Sequence, residues 1–438
     1  MKKIVFSASL AVLMLNGNAS AAEEASQKVK DREHSVRDVI DEVAKPKEKE
    51  VSTAENIKHV FKDGTVSGQV RVLYSGYNNN ATENQHATAI GGQLKYELAE
   101  FKGFNAAVEL TTSHDIGFAT GDDTKQNSEI SSEKGSYTEL SQAYINYKNG
   151  GLNLRAGRQL IDTPLADSDD IRIILNTFEA YTVTYENDGL MLMGGLLTKW
   201  QGTDAGLSVD NPWSKTGEDG TYFTGVSYST DFIDTSLWYY DISKDTNPNS
   251  ATGNVANKSA YADISLHMAL SKDYALHTSA QYINQRESDN SGIDSSIYGA
   301  MAELVMFEDF SLSAAYNNSK KQAGKGSFSG FGGGTLYTNM DSMIIDAITT
   351  DRDVNAIVAG ITYTVGDFGF MYAYGDFKGD EDSLGAKEHI VEQNVGFEYT
   401  PNENLTIAAI YVKDDDKQNS GSNGGDWENI RALVSYSF

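Results

Sequence analysis

The chain runs to 438 residues with 62 acidic and 35 basic side chains, a formal net charge of −27, and no cysteine. The missing thiols exclude disulfides, thiolate metal centres and cysteine nucleophiles. The acid excess argues against a nucleic-acid partner, which demands a basic face; it fits a solvated acidic surface, divalent cations held loosely between lipopolysaccharide heads, or a cation-attracting pore.

The first residues are Met1-Lys2-Lys3, followed by an apolar run over 4–15 and the small-residue stretch Ala19-Ser20-Ala21-Ala22. A basic start, a short apolar stretch and an A-x-A site predict a secretory signal over residues 1–21, too short to span a bilayer. Residues 22–63 are densely charged, as in Lys45-Pro46-Lys47-Glu48-Lys49-Glu50. Within them Val36, Val39, Ile40 and Val43 share one helical face, which Pro46 terminates, and a second short helix is expected over 54–61. The segment reads as a periplasmic spacer; a lumen plug or a self-associating helix is the alternative.

From Thr65 onward, residues 64–438 change to period two. Val66, Val70, Val72 and Tyr74 alternate with Ser67, Gln69, Arg71 and Ser75, and the same beat recurs to Ile430, Ala432, Val434, Tyr436 and Phe438. Such alternation means strands. Eight short turns, for example 187–189 and 271–273, alternate with nine long polar loops, for example 115–136, 160–180 and 318–353, which predicts about 18 strands. Short turns on one side and long loops on the other is the pattern of a transmembrane antiparallel β-barrel, and it reconciles membrane residence with a mean hydropathy of −0.42. The five prolines fall outside the predicted strands, and 24 tyrosines supply interfacial girdles. A soluble sandwich would share the alternation but not the short–long asymmetry.

The last residues, Ile430 to Phe438 with Tyr436 and Phe438 in alternating register, resemble the outer-membrane insertion signature, which implies handling by the barrel-assembly machinery. The stretch from Leu154 to Arg172, running on to Asn176-Thr177-Phe178-Glu179-Ala180, resembles the strand and third loop of OprD-type porins from Campylobacter-like bacteria, and is similar also to the major outer membrane porin group. Thr198-Lys199-Trp200-Gln201-Gly202 and Gly330-Phe331-Gly332-Gly333-Gly334 resemble that group too. The resemblance covers most of 55–438. It implies an 18-stranded barrel, a homotrimer, and a third loop folded into the lumen, in contact with outer-membrane lipid and lipopolysaccharide.

A barrel of this size leaves a wide aqueous lumen, so a selective channel needs a constriction. Loop 160–180 carries Asp162, Asp167, Asp169, Asp170, Arg172 and Glu179. Arg155 points inward if Leu154 and Ala156 face lipid, and Arg158, of opposite parity, lies where the loop begins. Acids facing bases across a pore would set a transverse field that sorts solutes by charge; the alternative is a solvated external loop. Arg71, Lys95, Glu97, Glu109 and Arg431 fall on inward positions of the wall. Asp122-Asp123 and Asp414-Asp415-Asp416 lack EF-hand spacing and suit only loosely bound divalent cations; no cofactor is expected. His267 and His277 share an inward face with Asp263, Ser265 and Ser279, but polar residues are expected on every inward face, so catalysis is not expected. The expected function is passive diffusion of small hydrophilic solutes and ions with a mild cation preference. The alternatives are a channel selective for small carboxylates, amino acids or peptides, and a structural or adhesion barrel.

Overall fold

The structure, a computed structural model, describes residues 51–79, 84–121, 136–168, 172–205, 212–247, 253–332, 334–420 and 425–438. The expected signal, the helix around Val36–Val43, Asp122-Asp123, Asp169 and Asp170 lie outside these residues.

Alternating side chains build eighteen long strands in chain order. They are β1 (Thr65–Asn79), β2 (Gln85–Glu97), β3 (Phe104–Asp115), β4 (Ser136–Asn149), β5 (Leu152–Gln159) and β6 (Thr177–Asn187). Next come β7 (Leu190–Gln201), β8 (Thr221–Ser229), β9 (Ile233–Ile242), β10 (Asn257–Ala269), β11 (Tyr274–Glu287) and β12 (Ser295–Met306). The set ends with β13 (Phe310–Ser319), β14 (Val354–Val365), β15 (Phe368–Gly379), β16 (Glu388–Tyr399), β17 (Leu405–Asp416) and β18 (Trp427–Ser437). Each pairs antiparallel with the next, and a two-residue piece, Ser214–Lys215, extends the ladder beside β7. β1 pairs with β18 in the register Arg71↔Ser435 and Val70↔Tyr436, so the sheet closes. Phe438 completes the seam: its N–H donates to the Gly68 carbonyl at 3.0 Å and its carbonyl accepts from Gly68 N–H at 3.1 Å. A closed ladder leaves no strand edge, which is what lets a sheet sit in hydrocarbon.

The burial pattern divides the wall by parity. Val66, Val70, Ile90, Leu94, Val108 and Leu110 are exposed on the outer face, whereas Gln69, Arg71, Gln93, Lys95, Glu109 and Thr111 are buried on the inner one. Polar side chains inward and apolar ones outward is the reverse of a water-soluble core, and it explains why average hydropathy is uninformative here.

Two regions depart from expectation. The short helix is confined to His59–Lys62, because the residues before it are drawn out along the β2–β3 turn, where Ala54 N–H donates to the Glu100 carbonyl at 2.8 Å. Loop three is shorter than expected: β6 begins at Thr177, so Phe178, Glu179 and Ala180 belong to the wall, paired with β7 through a register shift between Glu179 and Ala180.

Candidate functional site

Loop three starts from β5 as a tight hairpin. Asp162–Thr163 pairs with Ala166–Asp167 across Pro164 and Leu165, with Thr163 Oγ1 donating to the Ala166 carbonyl at 3.0 Å. Ser168 closes the base, accepting from Ile161 N–H at 2.8 Å through its hydroxyl. The hairpin points inward because its apolar residues have nowhere else to go. Ile161, Leu165 and Ala166 are buried in one cluster with Phe178, Trp200 and Tyr240 of the wall and Phe331 of another loop. The Tyr240 hydroxyl accepts from Leu165 N–H at 3.3 Å.

The return half of the loop is fixed elsewhere. Ile173 and Ile174 are buried against Leu73, Ala87, Ala89, Tyr137, Ala408 and Leu433, inward residues of β1, β2, β4, β17 and β18. The Arg71 guanidinium donates through Nη1 to the carbonyls of Arg172 and Ile173, each at 3.3 Å. Gly91 lies beneath Ile173, where a Cβ would come within 2.7 Å of its Cγ2. Arg71 is on β1 and Tyr240 on β9, nearly half the ring apart, so the loop crosses the lumen rather than lying along one wall.

A second inward loop lies between β13 and β14. Phe331 stands edge-on to Trp200, with centroids 5.5 Å apart, and exchanges backbone hydrogen bonds of 3.0 Å with Leu165 and Asp167. Gly332 has φ +70°, and a Cβ there would meet Asn176 Nδ2 at 2.3 Å and the Asp167 carbonyl at 2.7 Å. Further along, Met340, Met343, Ile345 and Ile348 are buried. Glu392 of β16 accepts from the N–H groups of Ser342 at 3.2 Å and Met343 at 2.5 Å, and Arg431 of β18 pairs with Asp341. This element was expected to be an ordinary external loop. The signal that could have found it is the apolar run Met343-Ile344-Ile345 inside a polar loop.

The residues expected at the eyelet separate into two groups. Asp162 and Asp167 face each other across the hairpin, and Arg172 lies at the opposite anchor. Arg158 and Glu179 come together away from them, on the strands. Arg158 Nη1 is 3.1 Å from Glu139 Oε1, Arg158 Nε is 3.9 Å from Glu179 Oε2, and Lys199 Nζ is 3.4 Å from Glu179 Oε1. The Arg158 guanidinium also lies 4.3 Å from the Trp213 ring centroid. Register shifts beside Glu109 and Glu179 alter the parity there, and bulges re-aim side chains in this way.

Among the inward wall residues, Lys95 Nζ lies 3.3 Å from Glu97 Oε2, and Glu97 also accepts from Asn105 Nδ2 at 2.7 Å and the Tyr144 hydroxyl at 2.9 Å. Glu109 accepts from Ser141 Oγ at 2.8 Å and Gln142 Nε2 at 2.9 Å. Arg155 is half-buried; its Nε donates to Asn146 Oδ1 at 3.1 Å, and its guanidinium lies 4.3 Å from the Tyr144 ring centroid. Its cross-strand neighbours are Thr182 and then Gly195, where the Phe223 ring lies 3.0 Å from the position a Cβ would take. His267 bonds Asp234, while Ser265 and Ser279 bond one another at 2.8 Å, so the hydroxyls are not set against an imidazole base. Among the described residues no His, Asp and Glu group is arranged to hold a metal ion.

Outside the membrane-spanning strands, Asp346 and Asp351 are shifted in opposite senses. Asp346, in the second inward loop, is pushed up to about 6 by burial, offset in part by a hydrogen bond from Ser327. Its Oδ2 is buried without a hydrogen-bond partner. Asp351 is held down at about 2 by hydrogen bonds from Ser383 and from Gly324 N–H, with Lys321 adding to the effect. It thereby ties the 320–353 loop to the next one.

A closed barrel of eighteen strands with a loop across its lumen is matched by a family model. The model for the outer membrane porin, OprD family, covers residues 62–349. The chain belongs to the OprD family of outer-membrane porins. Solved structures agree on the fold. OccAB2 of Acinetobacter baumannii superposes with a TM-score of 0.73 at 16% identity, covering 87% of this chain and 99% of that one. OpdK of Pseudomonas aeruginosa, solved with vanillate, gives 0.69 at 18% identity, with 86% and 99% covered. OccAB3 of Acinetobacter baumannii gives 0.71 at 15%, with 86% and 99% covered. No curated protein matches the chain. The porin is therefore an outer-membrane protein whose family consists of channels, not enzymes.

Proposed function

We propose that this porin lets small hydrophilic solutes and ions diffuse passively through a water-filled lumen narrowed by residues 160–176. The observation that carries the reading is the double anchorage of that loop, Leu165 at Tyr240 and Ile173 at Arg71, on strands nearly half the ring apart. A mild cation preference belongs to the proposal: it is supported by the net charge of −27 and by the buried inner-face carboxylates Glu109 and Glu303. Planar-bilayer recording tests both parts. Stepwise conductance with a reversal potential displaced toward the cation is the expected result. Absence of discrete steps overturns the channel reading, and an anion-directed reversal potential overturns only the preference.

A second reading, selection of small carboxylates, is favoured by Arg155. Among the described residues no carboxylate is paired with its guanidinium, which is half-buried and held by Asn146 and the Tyr144 ring. A planar guanidinium so placed can take a solute carboxylate with two hydrogen bonds. Saturable block of the ion current by small carboxylates, abolished in Arg155→Gln, is the expected outcome; block that persists in the variant rules Arg155 out.

A further inference from the structure

The residues just before the barrel form a built element at its periplasmic rim. Glu100 N–H donates to the Ser52 carbonyl at 2.7 Å, and Ala99 N–H donates to the Val60 carbonyl at 3.0 Å, which docks the stretch on the β2–β3 turn. The Tyr96 hydroxyl donates to the Phe61 carbonyl. Tyr96 stands opposite Val66 on the outer, lipid-side face of the wall. A Cβ at Gly64 would lie 2.7 Å from that hydroxyl, so the chain runs close past it. Val60 is half-buried against the turn, while Ile57, in the turn that leads into the short helix, and Phe61, within it, are 70% and 65% exposed. Lys58 and Lys62 are exposed one position further on. Phe104, at the start of β3, continues the apolar surface on the outer face.

We propose that residues 55–62 are an interfacial anchor that seats Ile57 and Phe61 in the periplasmic leaflet of the outer membrane. Two large apolar side chains left in water on a docked element are unfavourable, whereas the same pair is stabilised where headgroups meet acyl chains. The occupant is lipid rather than protein because the surface is continuous with the lipid-facing wall through Tyr96 and Phe104. Lys58 and Lys62 also bring positive charge to the level of the phosphodiesters, reaching it as long basic side chains do at membrane interfaces. The anchor fixes the depth of the β1 end of the barrel.

The chain has no cysteine, so single-cysteine variants of the full barrel carry one label each. Ile57→Cys and Phe61→Cys would be labelled with an environment-sensitive nitrobenzoxadiazole dye. The barrel would be reconstituted in phosphatidylethanolamine–phosphatidylglycerol vesicles containing a trace of doxyl-labelled lipid. Leu384→Cys, exposed in an external loop, serves as the aqueous reference. The expected result is blue-shifted emission at 57 and 61, strong quenching by the doxyl lipid, and iodide quenching several-fold weaker than at 384. Iodide quenching equal to that at 384 overturns the anchor. So does resistance to both quenchers, which marks contact with protein. Heat-modifiable gel mobility of each variant confirms that the barrel has folded, and the exposed positions chosen leave its ladder intact.

Discussion

Replacing Arg71 with methionine keeps the aliphatic stem against the wall and removes the two hydrogen bonds to the carbonyls of Arg172 and Ile173. A hydrogen bond from a charged donor contributes about 1.5–3 kcal/mol, and at 3.3 Å these two belong at the low end, so the pair contributes about 3 kcal/mol. Burial of Ile173 and Ile174 still contributes about 3–6 kcal/mol, so the return half of the loop stays docked most of the time. The loss instead raises the population of undocked loop by about 100-fold, since ~1.4 kcal/mol is a factor of ten. In single-channel recording the main conductance level persists while brief excursions to higher conductance become frequent. The measurement belongs at ~1 M salt, where the Debye length is about 3 Å and loss of a lumen charge hardly affects conductance. Unchanged current noise in Arg71→Met under those conditions refutes the anchoring role. So would an effect seen at low salt that fades as salt rises, because it would belong to the charge alone.

Gly332→Ala places a methyl group 2.3 Å from Asn176 Nδ2 and imposes a left-handed φ on alanine, costing about 1–2 kcal/mol in backbone alone. The contact between the two inward loops is expected to loosen, and liposome-swelling rates for larger neutral solutes to rise; rates equal to those of the parent protein would contradict this. Asp346 binds its proton more tightly in the folded loop, at about 6 against the ordinary 3.8. The sign is thus opposite to that of a salt-bridged carboxylate. Its contribution is fully present below about pH 4 and lost as pH rises through about 6, so open-channel noise should grow over that window. Asp346→Asn should flatten the response, and a pH dependence unchanged in that variant points to another group.

Period two in the sequence was enough to lay out the wall, because each strand residue faces either lipid or lumen and the two solvents demand opposite chemistry. Arg71, Lys95, Glu97, Glu109 and Arg431 all lie on the inner face that parity assigned them. The eyelet was less legible. Glu179 looked like a loop residue, since nothing local marks where β6 begins; its place on the ladder depends on the pairing of Thr177 with Gln201. Arg158 broke parity in the sequence, and its partners Glu139 and Trp213 come from segments 19 and 55 residues away that only the fold assembles. The second inward loop went unrecognised because its contacts, Phe331 with Leu165 and Asp341 with Arg431, join parts of the chain far apart in sequence.

The sequence by itself determined a closed antiparallel barrel of about eighteen strands, its outer-membrane setting and the parity of its wall. Those properties follow from a local repeat, read two residues at a time, and from the lengths of the connections. Tertiary structure alone decided what crosses the lumen. Loop three enters because Leu165, Ile173 and Ile174 find apolar partners on strands nearly half the ring apart, and a second loop meets it at Phe331. The physical reason is range: strand patterning is set by neighbours in sequence, whereas a constriction is set by which distant surfaces remain unfilled once the barrel has closed.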